Sequence, residues 1–167
     1  MKTLHATQKV NVLLAVILFI GIAAPYPVQA QQLEWYSFEE ALAIADSTGR
    51  PVMVDVWAPW CGWCLKMKRH VYPKLSTQLT KNFVLTRLNR DDNETTYQYK
   101  GERLTSLRLA QELKAESVPT VIFLHSTGDY LLHISGFVEA NKLQMVLEYI
   151  GSGAYRQVSF ATFQKKQ

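Results

Sequence analysis

Cysteine is scarce in this chain, with two in 167 residues, and that scarcity excludes more than any other feature of the composition. A scaffold stapled by disulfides needs several bridges, and a structural zinc needs four ligands, usually with a second Cys or His pair at similar spacing. The four histidines, His5, His70, His125 and His133, are scattered, so the sequence offers no metal set. Long apolar runs are wanting too: the one candidate, Val10 to Ala24 (VNVLLAVILFIGIAA), falls short of the roughly 20 residues that span a bilayer. There are no repeats or low-complexity linkers, and no Gly-x-Gly-x-x-Gly fingerprint for a dinucleotide, so no bound cofactor is expected. Dense basic patches with interleaved aromatics are also missing. The single cluster, Lys66, Lys68, Arg69 and His70, is short, which argues against a nucleic-acid partner.

What the chain does have is 48% hydrophobic residues, enough for one domain with a proper core. Residues 1–30 read as a signal peptide and not as part of that domain. Lys2 and Lys9 give a positive start, the apolar run follows, Pro25 and Pro27 break it, and Val28-Gln29-Ala30 puts small side chains at a cleavage site after Ala30. The alternative is an uncleaved membrane anchor. Removing this segment lowers the formal charge from +4 to +2, because 16 basic residues then face 14 acidic ones. The expected compartment is the periplasm, where disulfides persist.

From residue 31 to 151 the pattern is that of a single domain. Ser37 followed by Glu40 makes a capping box for a helix with apolar positions Phe38, Ala41, Leu42 and Ala45, stopped by Gly49. Pro51 to Ala58 (PVMVDVWA) is apolar on both faces, as in a central strand covered on each side, with Asp55 anomalous in its middle. A helix should start at or just after Cys61 and run to about Tyr72, ended by Pro73. Strands are expected over 82–89, 120–125 and 130–135, the last two as an antiparallel hairpin, with helices over 104–116 and 139–151. This order gives an α/β fold, a central mixed β-sheet flanked by helices on both faces. The polar stretch 90–103 (RDDNETTYQYKGER) reads as a solvated insertion, and the aromatic-bearing tail, residues 152–167, as a terminus packed on the domain.

The two cysteines, Cys61 and Cys64, are three apart. A disulfide between them closes almost no loop and is nearly useless as a staple, which leaves redox chemistry. A redox pair needs a first cysteine that ionises readily, because the thiolate is the attacking species. Cys61 falls at a strand-to-helix junction, where unpaired N–H groups and the helix dipole favour negative charge. Cys64, one turn on and on the same side, can then attack the mixed disulfide. The basic residues 66–70 are either a solvated helix face or an aid to that ionisation. A carboxyl buried in a central strand, as Asp55 would be, resists ionisation and can exchange a proton near neutral pH; otherwise it is a hydrogen-bonded structural group.

VDVWAPWCGWC resembles the active-site strand and turn of the thioredoxin superfamily, whose commonest form is WCGPC, and the order of elements from Leu33 to about Gly151 resembles that fold. Val118-Pro119-Thr120 resembles the family's cis-proline segment, and Gly136 follows the return strand as it does there. The resemblance implies Cys61 as nucleophile, Cys64 as resolving thiol, Asp55 as the buried acid beneath it, and Trp60, Gly62, Trp63, Val118 and Pro119 as the substrate-facing residues. Trp63 stands where proline is usual, so the strongly reducing character of CGPC proteins does not transfer directly. Within the superfamily the chain looks most like exported bacterial thioredoxin-like proteins, the branch with SoxW-type and DsbD-related domains. The implied function is an exported thiol-disulfide oxidoreductase that reduces disulfides of other exported proteins and is itself reduced by a DsbD-like membrane thiol electron donor. A periplasmic oxidase or isomerase is the alternative within the class. A thioredoxin-fold chaperone or adaptor, binding through a surface of Trp57, Trp60, Trp63 and Tyr72, is the alternative outside it.

Overall fold

The computed structural model of the chain describes residues 32–166. The expected signal peptide and its cleavage site lie outside the described residues. Among the described residues no helix is long and apolar enough to cross a membrane.

Four strands, β1 (Val52–Trp57), β2 (Val84–Asn89), β5 (Thr120–Leu124) and β6 (Tyr130–Ser135), form one sheet in the order β2-β1-β5-β6. β1 runs parallel to β2 and antiparallel to β5, and β6 returns antiparallel to β5, so the sheet is mixed. Side chains alternate across it with period two. Met53, Leu85, Val121 and Phe123 face α5 (Ala140–Gly151) and the helical segment from Cys61 to Asn82. Val52, Val54, Val56, Val84, Leu88, Ile122 and Leu124 face α1 (Phe38–Thr48) and α4 (Ser106–Glu112). Each such side chain, fully withdrawn from water, contributes about 1.5–3 kcal/mol. α1 begins with the expected capping box between Ser37 and Glu40 and ends at Gly49.

Three expectations about local structure need correction. Pro73 does not end the helical path. α2 (Gly62–Lys66) passes into a π-helical turn (Met67–Val71), a 3₁₀ turn (Tyr72–Leu75) and then α3 (Ser76–Asn82). Pro73 sits at the start of a fresh turn, where its missing N–H is not needed. The strand expected from residue 82 therefore begins at Val84, since Asn82 closes α3.

The 90–103 stretch is not merely a solvated insertion. β3 (Thr96–Tyr99) and β4 (Glu102–Thr105) pair as a hairpin, and Lys100 and Gly101 at its turn both have positive φ, as a tight two-residue hairpin turn requires. Tyr97 and Tyr99 set their rings edge-on to Phe38, at 6.0 and 5.7 Å between centres. The hairpin also shortens α4, because Thr105 serves as both strand end and N-cap. The buried Tyr99 hydroxyl donates to the Gly128 carbonyl at 2.9 Å. Tyr99→Phe is expected to lower unfolding free energy by about 1 kcal/mol in urea titration, since the ring stays and one hydrogen bond goes.

After α5, a 3₁₀ turn (Ala154–Arg156) and α6 (Phe160–Gln164) fold back on the domain. Phe160 and Phe163 lie 5.2 and 5.3 Å from the Tyr149 ring, whose hydroxyl donates to the Val158 carbonyl at 2.7 Å.

Candidate active site

The cysteines lie just beyond the C-terminal end of β1, where ligand and reaction sites of α/β sheets commonly form. Cys61 is the N-cap of α2, and its Sγ accepts the Cys64 backbone N–H at 3.0 Å. That bond, together with the helix terminus, favours the thiolate of Cys61 once the pair is reduced. The two sulfurs are joined as a disulfide, with Cα atoms 5.3 Å apart. Cys61 is 7% exposed and Cys64 2%, so Cys61 is the sulfur nearer to solvent.

Around them the structure brings together most of the residues expected of the site. Ala58 clusters with the two cysteine side chains, and Trp57 and Val118 pack against that cluster. Val118–Pro119 is a cis peptide, and the Pro119 carbonyl accepts the Gly136 N–H at 2.8 Å. A cleft of about 270 Å³ opens beside the pair, with Trp60, Gly62, Lys68 and Arg87 among its walls. A Cβ at Gly62 would meet nothing within 4 Å, so bare backbone faces open space there. Trp60 and Trp63 are 67% and 57% exposed, but they diverge. Trp60 donates its indole N–H to Asp91, whereas Trp63 stacks on Phe137, 5.1 Å between ring centres. Tyr72, weighed above as a surface aromatic, is buried at 1% exposure and belongs to the core.

Tyr72 instead serves Asp55. The Asp55 carboxyl, 1% exposed, accepts the Tyr72 hydroxyl at 2.8 Å on one oxygen and the Arg87 Nε–H at 2.8 Å on the other. Burial raises its pKa above the usual carboxylate range; Arg87 and Tyr72 pull the other way without cancelling that. Burial, and then the adjoining carboxyl, hold the Tyr72 hydroxyl well above its ordinary value, so it remains the donor. Arg87 is held in turn between two indoles, its guanidinium carbon 5.3 Å from the Trp35 ring centre and 4.7 Å from that of Trp57. Because Arg87 also lines the cleft, it connects the buried acid to the surface beside the cysteines. Of the basic cluster, Lys68 lines the same cleft, while Lys66 sits over the Trp63 and Phe137 rings.

The family model for the thioredoxin-like domain matches residues 38–151. The chain belongs to the thioredoxin-like domain family. This thioredoxin-like chain is 42% identical over 98 residues to a thioredoxin of Synechocystis sp., covering 59% of itself and 78% of that protein. It is 26% identical over 109 residues to the disulfide bond reductase DsbH of Chlamydia pneumoniae, covering 63% of itself and 64% of that protein. A further relative is the thiol:disulfide interchange protein DsbD of Pseudoalteromonas atlantica, 27% identical over 109 residues, where the match covers 62% of the chain but only 17% of the relative. Among solved structures, a DsbH oxidoreductase superposes with a TM-score of 0.61 at 20% identity, over 78% of this chain and 91% of that one, which shows the fold. The family is one of thiol-disulfide oxidoreductases, and this thioredoxin-like domain carries its cysteine pair at the strand-to-helix turn after β1.

Four residues around this thioredoxin-like site escaped sequence reasoning: Arg87, Trp35, Asp91 and Phe137. Arg87 left a trace, a lone charge within the apolar strand FVLTRLN, and the parallel register pairs it with Asp55. Phe137 is 74 positions from Trp63, and no local pattern joins them.

Proposed function

We propose that the chain is an exported thiol-disulfide oxidoreductase that works in the reducing direction on disulfides of other exported proteins. The observation that carries this reading is the pairing of a cysteine at a helix start, at the mouth of an open cleft, with a second cysteine buried one turn behind it. In the reduced protein the Cys61 thiolate attacks one sulfur of a client disulfide, forming a mixed disulfide and expelling the other client sulfur as a thiolate. The Cys64 thiol gives up its proton and attacks the Cys61 sulfur. The Cys61–Cys64 disulfide forms, the second client thiolate leaves, and two electrons have passed to the client. Asp55 takes the proton of Cys64, with Arg87 and Tyr72 holding the carboxyl in place. Trp60, Gly62, Val118 and Pro119 frame the extended client backbone. A dithiol electron donor at the membrane returns the pair to its reduced state. Export is supported by the residue pattern of positions 1–30, and the reducing direction by the relatives named thioredoxin and disulfide bond reductase.

The test is a trap. Cys64→Ser leaves the attacking thiol but removes the one that releases the client. Incubated with oxidised exported proteins, it should accumulate adducts that dithiothreitol dissolves and that a Cys61→Ser/Cys64→Ser protein never forms. Absence of adducts would sink the reading. A measured potential near the thioredoxin value of about −270 mV supports reduction, and one near about −120 mV supports oxidation.

A further inference from the structure

A basic groove leads away from the cysteines along the helical segment that starts at Cys61. It begins at an aromatic shelf, where Lys66 Nζ lies 4.8 Å from the Trp63 ring centre and 4.7 Å from that of Phe137. Beyond the shelf, a hollow of about 450 Å³ is lined by Lys66, His70, Lys74 and Glu139, among others. A second hollow of about 330 Å³ shares Lys74, adds Lys81, and has no acid in its lining. Lys66, His70 and Lys74 line the first hollow and Lys74 and Lys81 the second, so the shared Lys74 joins the two along one side of the helical segment. Lys66, Lys74 and Lys81 are in no ion pair among the described residues, and Glu139 is the one acid in either lining. The cations beside the sulfurs, Lys68 and Arg87, belong to a different cleft.

We propose that this groove receives an acidic flank of the client polypeptide. Trp63 stands between the two cysteines, so a client joined to Cys61 lies against the shelf. Its chain on one side of the reacting cysteine then runs over Trp63 and Phe137 and lays Asp or Glu side chains along Lys66, Lys74 and Lys81. The rings supply flat, rigid contact area, and the charges in line raise the encounter rate and fix direction more than they add affinity. The inference rests on the thiol-exchange reading above and adds to it the chemical class of the client segment.

Three synthetic peptides test it, each with the same internal disulfide and flanked on both sides by four Glu, four Gln or four Lys. The reduced full-length protein should turn over the Glu peptide about five- to tenfold faster in kcat/KM than the Gln peptide, and the Lys peptide more slowly still. The preference should sit in KM and shrink between about 20 and about 500 mM salt. Lys74→Glu/Lys81→Glu should reverse the order, and Lys74→Gln/Lys81→Gln should flatten it, which guards against a fold lost to charge reversal. Equal kcat/KM for the three peptides overturns the proposal, as does a preference that both double variants leave intact. Binding to phosphatidylglycerol vesicles through Lys74 and Lys81 without discrimination among the peptides also overturns it, since the stripe then serves a lipid surface. If none of the peptides is turned over, it is the thiol-exchange reading that fails, and this proposal falls with it.

Discussion

Cys61→Ser is expected to lower insulin-disulfide reduction by about a thousandfold or more, to the level of the dithiol reagent alone. A serine hydroxyl does not ionise near neutral pH and does not form the mixed disulfide, so neither half of the exchange can begin. The helix-start position and the N–H of Cys64, which favour a thiolate, do nothing for a neutral hydroxyl. Stability of the reduced protein should move little, because oxygen for sulfur at a site 7% exposed is a small change of volume. The same variant separates an enzyme from a chaperone-like binding module. If it keeps full biological activity, the exposed Trp60 and Trp63 are binding partners without exchange, and the oxidoreductase reading is wrong.

Asp55→Asn should produce the next largest effect, a slowing of mixed-disulfide resolution by about a hundredfold at neutral pH, with attack by Cys61 much less affected. Rapid-quench separation of the two steps would show it. Unchanged resolution kinetics from about pH 6 to pH 9 would leave Asp55 a purely structural group. The same substitution has a signature in stability. Asp55 titrates higher in the folded chain than in the unfolded one, since burial is the largest influence on it. Its contribution to stability is therefore fully present below the ordinary carboxylate pKa of about 4 and is lost as pH rises through the raised folded value. Asparagine does not titrate. The stability of Asp55→Asn relative to the parent should rise from about pH 4 upward and level off once the folded carboxyl is ionised. Asparagine also leaves one of the Tyr72 and Arg87 donors poorly matched, a cost that does not vary with pH. The slope in urea titrations across pH, and not the offset, carries the information.

Much of this arrangement is legible in the sequence. The β-branched run Val52–Val56, apolar on both faces, marks β1 as central, and Asp55 within it marks something other than packing. The spacing of Cys61 and Cys64 marks the site, and the Val118-Pro119 pair marks the segment that packs beside it. What escapes is set by distance in sequence or by local rules that a neighbour overrides. Pro73 is a helix breaker by rule, yet a change of helical pitch before it lets the chain continue. The β3–β4 hairpin hides because its strands are four residues long and its Lys100-Gly101 turn lacks the Asn-Gly or Asp-Gly signature. Its tyrosines become apolar anchors only when Phe38 is known to lie opposite. Arg87 reads as an anomaly in a strand until the parallel register sets it across from Asp55.

β1 is hydrogen-bonded on both edges and covered on both faces, and Cys61 hangs four residues past its end. The Cys61 sulfur is thereby tied to a strand of the kind that opens last in a small domain. The hairpin and the tail pack instead on Phe38 and Tyr149, outside the cluster around that sulfur. Residues that would meet a client, Trp60, Gly62 and Lys66, lie on the same short stretch as Cys61, so a change in which partners are handled is made next to the sulfur itself.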